Sequence, residues 1–149
     1  MSLKSQITED MKSAMRAGEK DRLKIVRLIL AAIKQVEIDT RTELDDAAIL
    51  AVLGKMVKQR RDSVEQFEKG GREDLARIER DEIAVLQTYL PEQLTADELN
   101  AMIDEVIGVT GAEGMRDMGK VMGQIKAKAA GRADMGVVSA AVKERLSAL

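Results

Sequence analysis

The chain contains no cysteine, no histidine and no tryptophan, and only one proline, one phenylalanine and one tyrosine among 149 residues. Without cysteine there is no disulfide framework and no thiolate metal site. Without histidine the commonest general base and the commonest transition-metal ligand are both missing, so no Ser/His/Asp or Cys/His constellation can form. With so few aromatics the core is aliphatic, and the stacking used to grip single-stranded nucleic acid is not at hand. The amino-terminal stretch Met1-Ser2-Leu3-Lys4-Ser5-Gln6 lacks the apolar centre of a secretory leader, and no apolar run approaches membrane-spanning length. The expectation is a cytoplasmic protein with no membrane association. No metal or cofactor is expected either, because acid pairs such as Asp45-Asp46 and Asp81-Glu82 fit no calcium-loop spacing and read as caps and solvated faces.

What is present suits helices. Hydrophobic residues make up 45% of the chain, charged residues 34%, and nine methionines join many Ala, Leu and Ile. The periodicity predicts an all-α fold. A first helix spans Leu3 to Ala17, with Ser2 as N-cap and Gly18 as stop. A second runs from Lys20 to Ile38, and Leu23, Val26, Ile29, Leu30, Ile33 and Val36 give it the broad face of a central bundle helix. The third runs from Asp45-Asp46 to Gly70-Gly71, and the fourth from Arg72 to Pro91, which disfavours helical geometry in the residue before it. Thr95-Ala-Asp-Glu98 reads as a capping box opening the fifth. Gly108 to Gly114 read as a loop, followed by a sixth helix closed near Gly131 and a seventh capped by Asp134. Pro91 is the natural boundary between a four-helix amino-terminal bundle (residues 1–91) and a three-helix carboxy-terminal domain (residues 92–149).

The sixth helix is thermodynamically odd. Met118, Val121, Met122 and Ile125 form an apolar stripe, yet Gly119 and Gly123 lie inside the helix, each costing about 1 kcal/mol relative to Ala. Two such losses predict a close backbone approach, either to a neighbouring helix of the fold or to a ligand. Lys120, Gln124 and Lys128 form a second row four residues apart, and Lys126 and Arg132 add positive charge. Residues 92–110 carry five acids and no base, whereas 111–149 carry seven bases against four acids. A polyanion is therefore the first partner to consider.

Other clusters read more plainly. Lys55, Lys58 and Arg61 could bind phosphates, but Asp62, Glu65 and Glu68 can neutralise them along the same helix. The Glu68-Lys69-Gly70-Gly71-Arg72 link has neither the spacing of a phosphate loop nor a preceding strand, and reads as a helical hairpin turn. No pair of carboxylates or lysines is marked for acid–base work, so no catalytic residue is assigned.

Three segments carry a family resemblance. Arg60-Arg-Asp-Ser-Val-Glu-Gln-Phe-Glu-Lys-Gly-Gly-Arg72, Glu82-Ile-Ala-Val-Leu-Gln-Thr-Tyr-Leu-Pro-Glu-Gln-Leu94 and Asp117-Met-Gly-Lys-Val-Met-Gly123 resemble YqeY proteins, in the family's order and over essentially the whole chain. The resemblance implies a four-helix part followed by a three-helix part. It also implies a likeness between the carboxy-terminal part and the tail domain of GatB, a subunit of the glutamine-dependent amidotransferase that converts mischarged Glu-tRNA or Asp-tRNA. In that enzyme the tail helps hold tRNA, while the chemistry occurs in a large separate body that this chain does not resemble. A carbon–nitrogen ligase label can thus be inherited without the activity.

On this reading Lys120, Gln124, Lys126, Lys128 and Arg132 contact tRNA or another structured RNA, and Gly119 and Gly123 form a close-approach groove. The rival reading is a protein-interaction module, in which the groove receives a helix of an amidotransferase, a synthetase or a second copy. A third, an amidotransferase enzyme or essential subunit, would need a catalytic constellation that the residues do not supply.

Overall fold

The computed structural model describes residues 2–129 and 131–149; Met1 and Ala130 lie outside the described residues. Among the described residues every regular element is helical: α1 (Leu3–Ala17), α2 (Lys20–Thr40), α3 (Asp46–Lys69), α4 (Glu73–Gln87), α5 (Ala96–Thr110), a 3-10 turn (Met115–Asp117), α6 (Met118–Ala129) and α7 (Met135–Ser147). The chain divides into two compact units, Met1–Leu90 and Pro91–Leu149.

Helix ends follow local chemistry. The Ser2 hydroxyl accepts from the Ser5 N–H at 3.1 Å, and Asp45 accepts from the Ala48 N–H at 2.8 Å. Thr95 and Glu98 complete both halves of a capping box. Gly18 (φ 70°) and Gly111 (φ 66°) close α1 and α5 in the left-handed region, where an L side chain is strained. Two expectations need correction. The second helix continues past Ile38 to Thr40, and Arg41 ends it at φ 54°. The fifth helix runs through Gly108 to Thr110, so the loop is shorter than the glycines suggested.

In the amino-terminal unit α1 pairs with α2 and α3 with α4. Ile7, Ile25, Val26, Ile29, Ile33, Ile49, Leu53, Met56, Val57 and Leu86 build an aliphatic core. The buried residues of α3 stop at Val57, while the helix continues to Lys69 beside α4. There Arg60 donates to Glu82 at 2.9 Å, with both side chains largely buried, and Arg80 bridges Glu68 and Glu73. Of the acids expected to neutralise Lys55, Lys58 and Arg61 along α3, Glu65 pairs instead with Lys69 at 3.0 Å and Glu68 with Arg80 on α4.

Tyr89 is nearly buried, and its hydroxyl donates to Asp10 at 2.6 Å. Burial first, then the bond to Asp10, raises the phenol above its ordinary value. A raised folded-state pKa favours the folded chain fully below the unfolded value of about 10, and that contribution is lost as pH rises through the folded value. In an alkaline titration the absorbance of this single tyrosine should thus report phenolate only as the unit unfolds. Tyr89→Phe should lower stability near neutral pH by about 1 kcal/mol and flatten the alkaline limb. Phenolate forming near pH 10 in a chain that is still folded would contradict this.

In the carboxy-terminal unit each of α5, α6 and α7 touches the other two. Leu99, Ile103 and Val106 meet Val121, Ile125 and Ala129, with Val138, Val142 and Leu146 completing the core. Arg145 ties α7 to Asp104 on α5 at 2.5 Å. No helix among the described residues is long and apolar enough to cross a membrane.

Candidate functional site

The site is built on α6. Its amino-terminal end is set by Asp117, whose carboxylate accepts from the Glu113 N–H at 2.8 Å. That bond is the main reason the Asp117 carboxyl lies below its usual range; the Gly114 N–H and the charges of Arg116 and Lys120 add to it. Val121, Ile125 and Ala129 are buried, which fixes the rotation of the helix.

With that rotation set, Gly119 and Gly123 face outward. Both are exposed, and a Cβ built on either meets no other heavy atom within 4 Å. The tight packing against a neighbouring helix that two costly glycines could signify is therefore not made within the unit. What remains is an open face on which the backbone of α6 is bare, continued one turn later by exposed Ala127.

The cations around it divide. At about 100° per residue, Lys120, Gln124 and Lys128 lie on the α5 flank of the glycine face, and Lys126 lies on the opposite flank. Lys120 Nζ is 3.4 Å from the Thr110 carbonyl oxygen, at the negative end of the α5 dipole. Lys128 Nζ stands 3.9 Å from Glu105, a long contact between exposed side chains. Lys126 and Gln124 are exposed and hold no partner among the described residues.

Arg132 is not on the helix at all. Its Nε donates to the Glu92 carbonyl at 3.1 Å, its own carbonyl accepts from the Leu94 N–H at 2.8 Å, and Gln93 donates to the Gly131 carbonyl at 3.0 Å. Residues 92–94 are thereby clasped to the turn after α6, and Arg132 serves the fold there. Among the described residues no group of three or more acidic, His or Cys side chains could hold a metal.

One surface escaped the sequence reading. Lys20, Lys24, Arg27 and Lys34 are all exposed on α2, and their spacing by four, three and seven residues was the available signal. It was hidden by the broad apolar face of the same helix, of which Ile25, Val26, Ile29 and Ile33 are the buried part.

Among the described residues the chain is all-helical, with four α-helices in the first unit and three in the second. The chain belongs to the YqeY family: the model described as "Yqey-like protein" matches residues 4–146. It is similar to "Altered inheritance of mitochondria protein 41, mitochondrial" of Eremothecium gossypii, with 32% identity over 97% of this chain and 80% of the relative. The protein of the same name from Pyrenophora tritici-repentis is 33% identical over 96% of this chain and 80% of its own length. That of Clavispora lusitaniae is 41% identical over 59% of this chain and 51% of its own.

These names overturn the expected cytoplasmic location, because the relatives are mitochondrial proteins by name. The expectation rested on the lack of a secretory leader and of a membrane span. Mitochondrial targeting uses amphipathic, Arg-rich segments that neither criterion registers.

Proposed function

We propose that this YqeY-family chain binds structured RNA, with tRNA as the first candidate, through the open glycine face of α6, and serves tRNA-dependent amidation as an accessory without chemistry of its own. The observation that carries the reading is the pair Gly119 and Gly123, the second and sixth residues of α6, whose missing side chains the fold itself does not use. A bare helix surface lets a sugar-phosphate backbone approach main-chain atoms, and flanking Lys126, Gln124, Lys120 and Lys128 supply donors for phosphate and ribose. Such contacts position an RNA without reading much of its sequence. A folded RNA fits better than a single strand, since no aromatic lies on α6. The likeness to the GatB tail supports tRNA and amidation as the setting. The unit as a whole carries nine acids and seven bases, so attraction must be local to this face.

The test is binding of unfractionated tRNA by the whole chain, alone and as Gly119→Leu with Gly123→Leu. Both leucines sit at exposed helical positions with open space, so folding is preserved. Affinity should fall at least about tenfold, and Lys126→Ala should reduce the salt slope by about one phosphate contact. Unchanged tRNA binding in the leucine pair would remove RNA from this face. If the same pair instead abolished capture of a partner that survives ribonuclease treatment, the groove would be assigned to a helix of another protein.

A further inference from the structure

We propose that the exposed row Lys20, Lys24, Arg27 and Lys34 on α2 is a phosphate-binding surface, which takes the sugar-phosphate backbone of a structured RNA. The inference rests on the RNA reading for its class of ligand and adds a contact surface on the other unit.

At about 100° per residue the four cations fall within an arc of about 80° and extend along about 21 Å of helix. None of them has an ion pair or a side-chain hydrogen bond among the described residues. That distinguishes them from Lys120, Lys128 and Arg132, which hold contacts within their own unit. No acid interrupts the row. Glu19 pairs with Arg22 at 3.6 Å and Glu37 with Lys4 at 2.9 Å, both on a flank turned about 100° away. Asp21 and Asp39 lie on the other flank, where Asp39 accepts from Gln35 at 2.9 Å.

Four aligned like charges repel one another when nothing covers them. They gain when each meets a phosphate and releases the counterions around it. Between them the surface dips into a shallow concavity lined by Lys20, Leu23, Lys24, Arg27, Leu28 and Ala31. A narrow line of charge suits a polymer of phosphates laid along the helix. An anionic membrane would call for a wider basic face and an aromatic or bulky apolar wedge. Here Leu28 and Ile38 are the large apolar residues exposed on α2, and neither aromatic of the chain lies on it.

The experiment compares three forms of the whole chain: the wild type, Lys24→Ala/Arg27→Ala/Lys34→Ala, and Gly119→Leu/Gly123→Leu. Each is titrated with unfractionated tRNA over a salt series, and separately with vesicles of phosphatidylcholine and phosphatidylserine. The α2 variant should bind tRNA at least about tenfold more weakly near physiological salt, with a log–log salt slope shallower by about two to three. The exchange Lys24→Arg/Arg27→Lys/Lys34→Arg should retain both affinity and slope. An α2 variant that binds tRNA like the wild type, while the α6 variant weakens, overturns this proposal and leaves the α6 reading standing. The reverse pattern supports it and removes the α6 reading. A wild type that binds no tRNA overturns both. Vesicle binding that depends on the α2 cations, with tRNA binding unaffected, overturns it in favour of a lipid surface.

Discussion

Ile125→Ala is expected to unfold the carboxy-terminal unit while leaving the amino-terminal unit intact. Ile125 is fully buried on α6, in a core shared by all three helices of the unit. Removing its outer carbons costs about 2–5 kcal/mol through lost transfer energy and the cavity left behind. A unit of about 60 residues rarely holds more than about 3–5 kcal/mol in total. The loss thus consumes most of its stability or all of it. Amide hydrogen exchange reads the outcome directly: protection should vanish across residues 96–147 and persist across 3–87. Cooperative loss of both at once would show that the two units fold as one.

The second large effect has the opposite sign. Gly119→Ala with Gly123→Ala should stabilise the carboxy-terminal unit by about 1–2 kcal/mol. Neither glycine has a positive φ, and a Cβ at either position meets nothing within 4 Å. The unfolded chain loses freedom, the helix gains propensity, and no contact is strained. In a unit of this size each kcal/mol raises the melting temperature by about 4–8 °C. A drop in melting temperature would mean that something outside the unit already occupies this face. Read with the tRNA titration, the pair tests whether stability is being given up for an approach surface.

Much of the fold was legible in the residues. Ser2, Gly18, Thr95, Glu98 and Asp134 announce helix ends through short-range chemistry, and short-range chemistry is what a sequence displays. Gly108 misled because a glycine inside a helix costs only about 1 kcal/mol; buried Val106 on one side and the Gly111 cap on the other decide the matter. The charges of α3 misled for another reason. Their spacing along one helix is visible, whereas Glu82 and Arg80 become partners only once α4 lies alongside. At the site, Gly119 and Gly123 drew notice as an anomaly. The stripe of Val121 and Ile125 already shows which way the helix turns, but whether another helix covers the glycine face is decided by long-range packing that no local pattern shows. The bond of Arg132 to the Glu92 carbonyl was not legible, because it joins residues 40 positions apart.

The distal half of the α3–α4 hairpin has a consequence for how the chain breathes. Beyond Val57 on α3 and before Leu86 on α4, Ala76 is the one residue that is fully enclosed; Val64, Phe67, Leu75 and Ile83 are only half-buried, and Arg60–Glu82, Arg80–Glu68 and Arg80–Glu73 ion pairs lie among them. An arm of half-buried side chains and exposed ion pairs opens more readily than the fully enclosed aliphatic core at its root. The Gly70-Gly71 tip is therefore where a protease first gains entry. A cut there leaves two fragments joined through Leu53, Met56 and Leu86, and so separates the life of the arm from the life of the bundle.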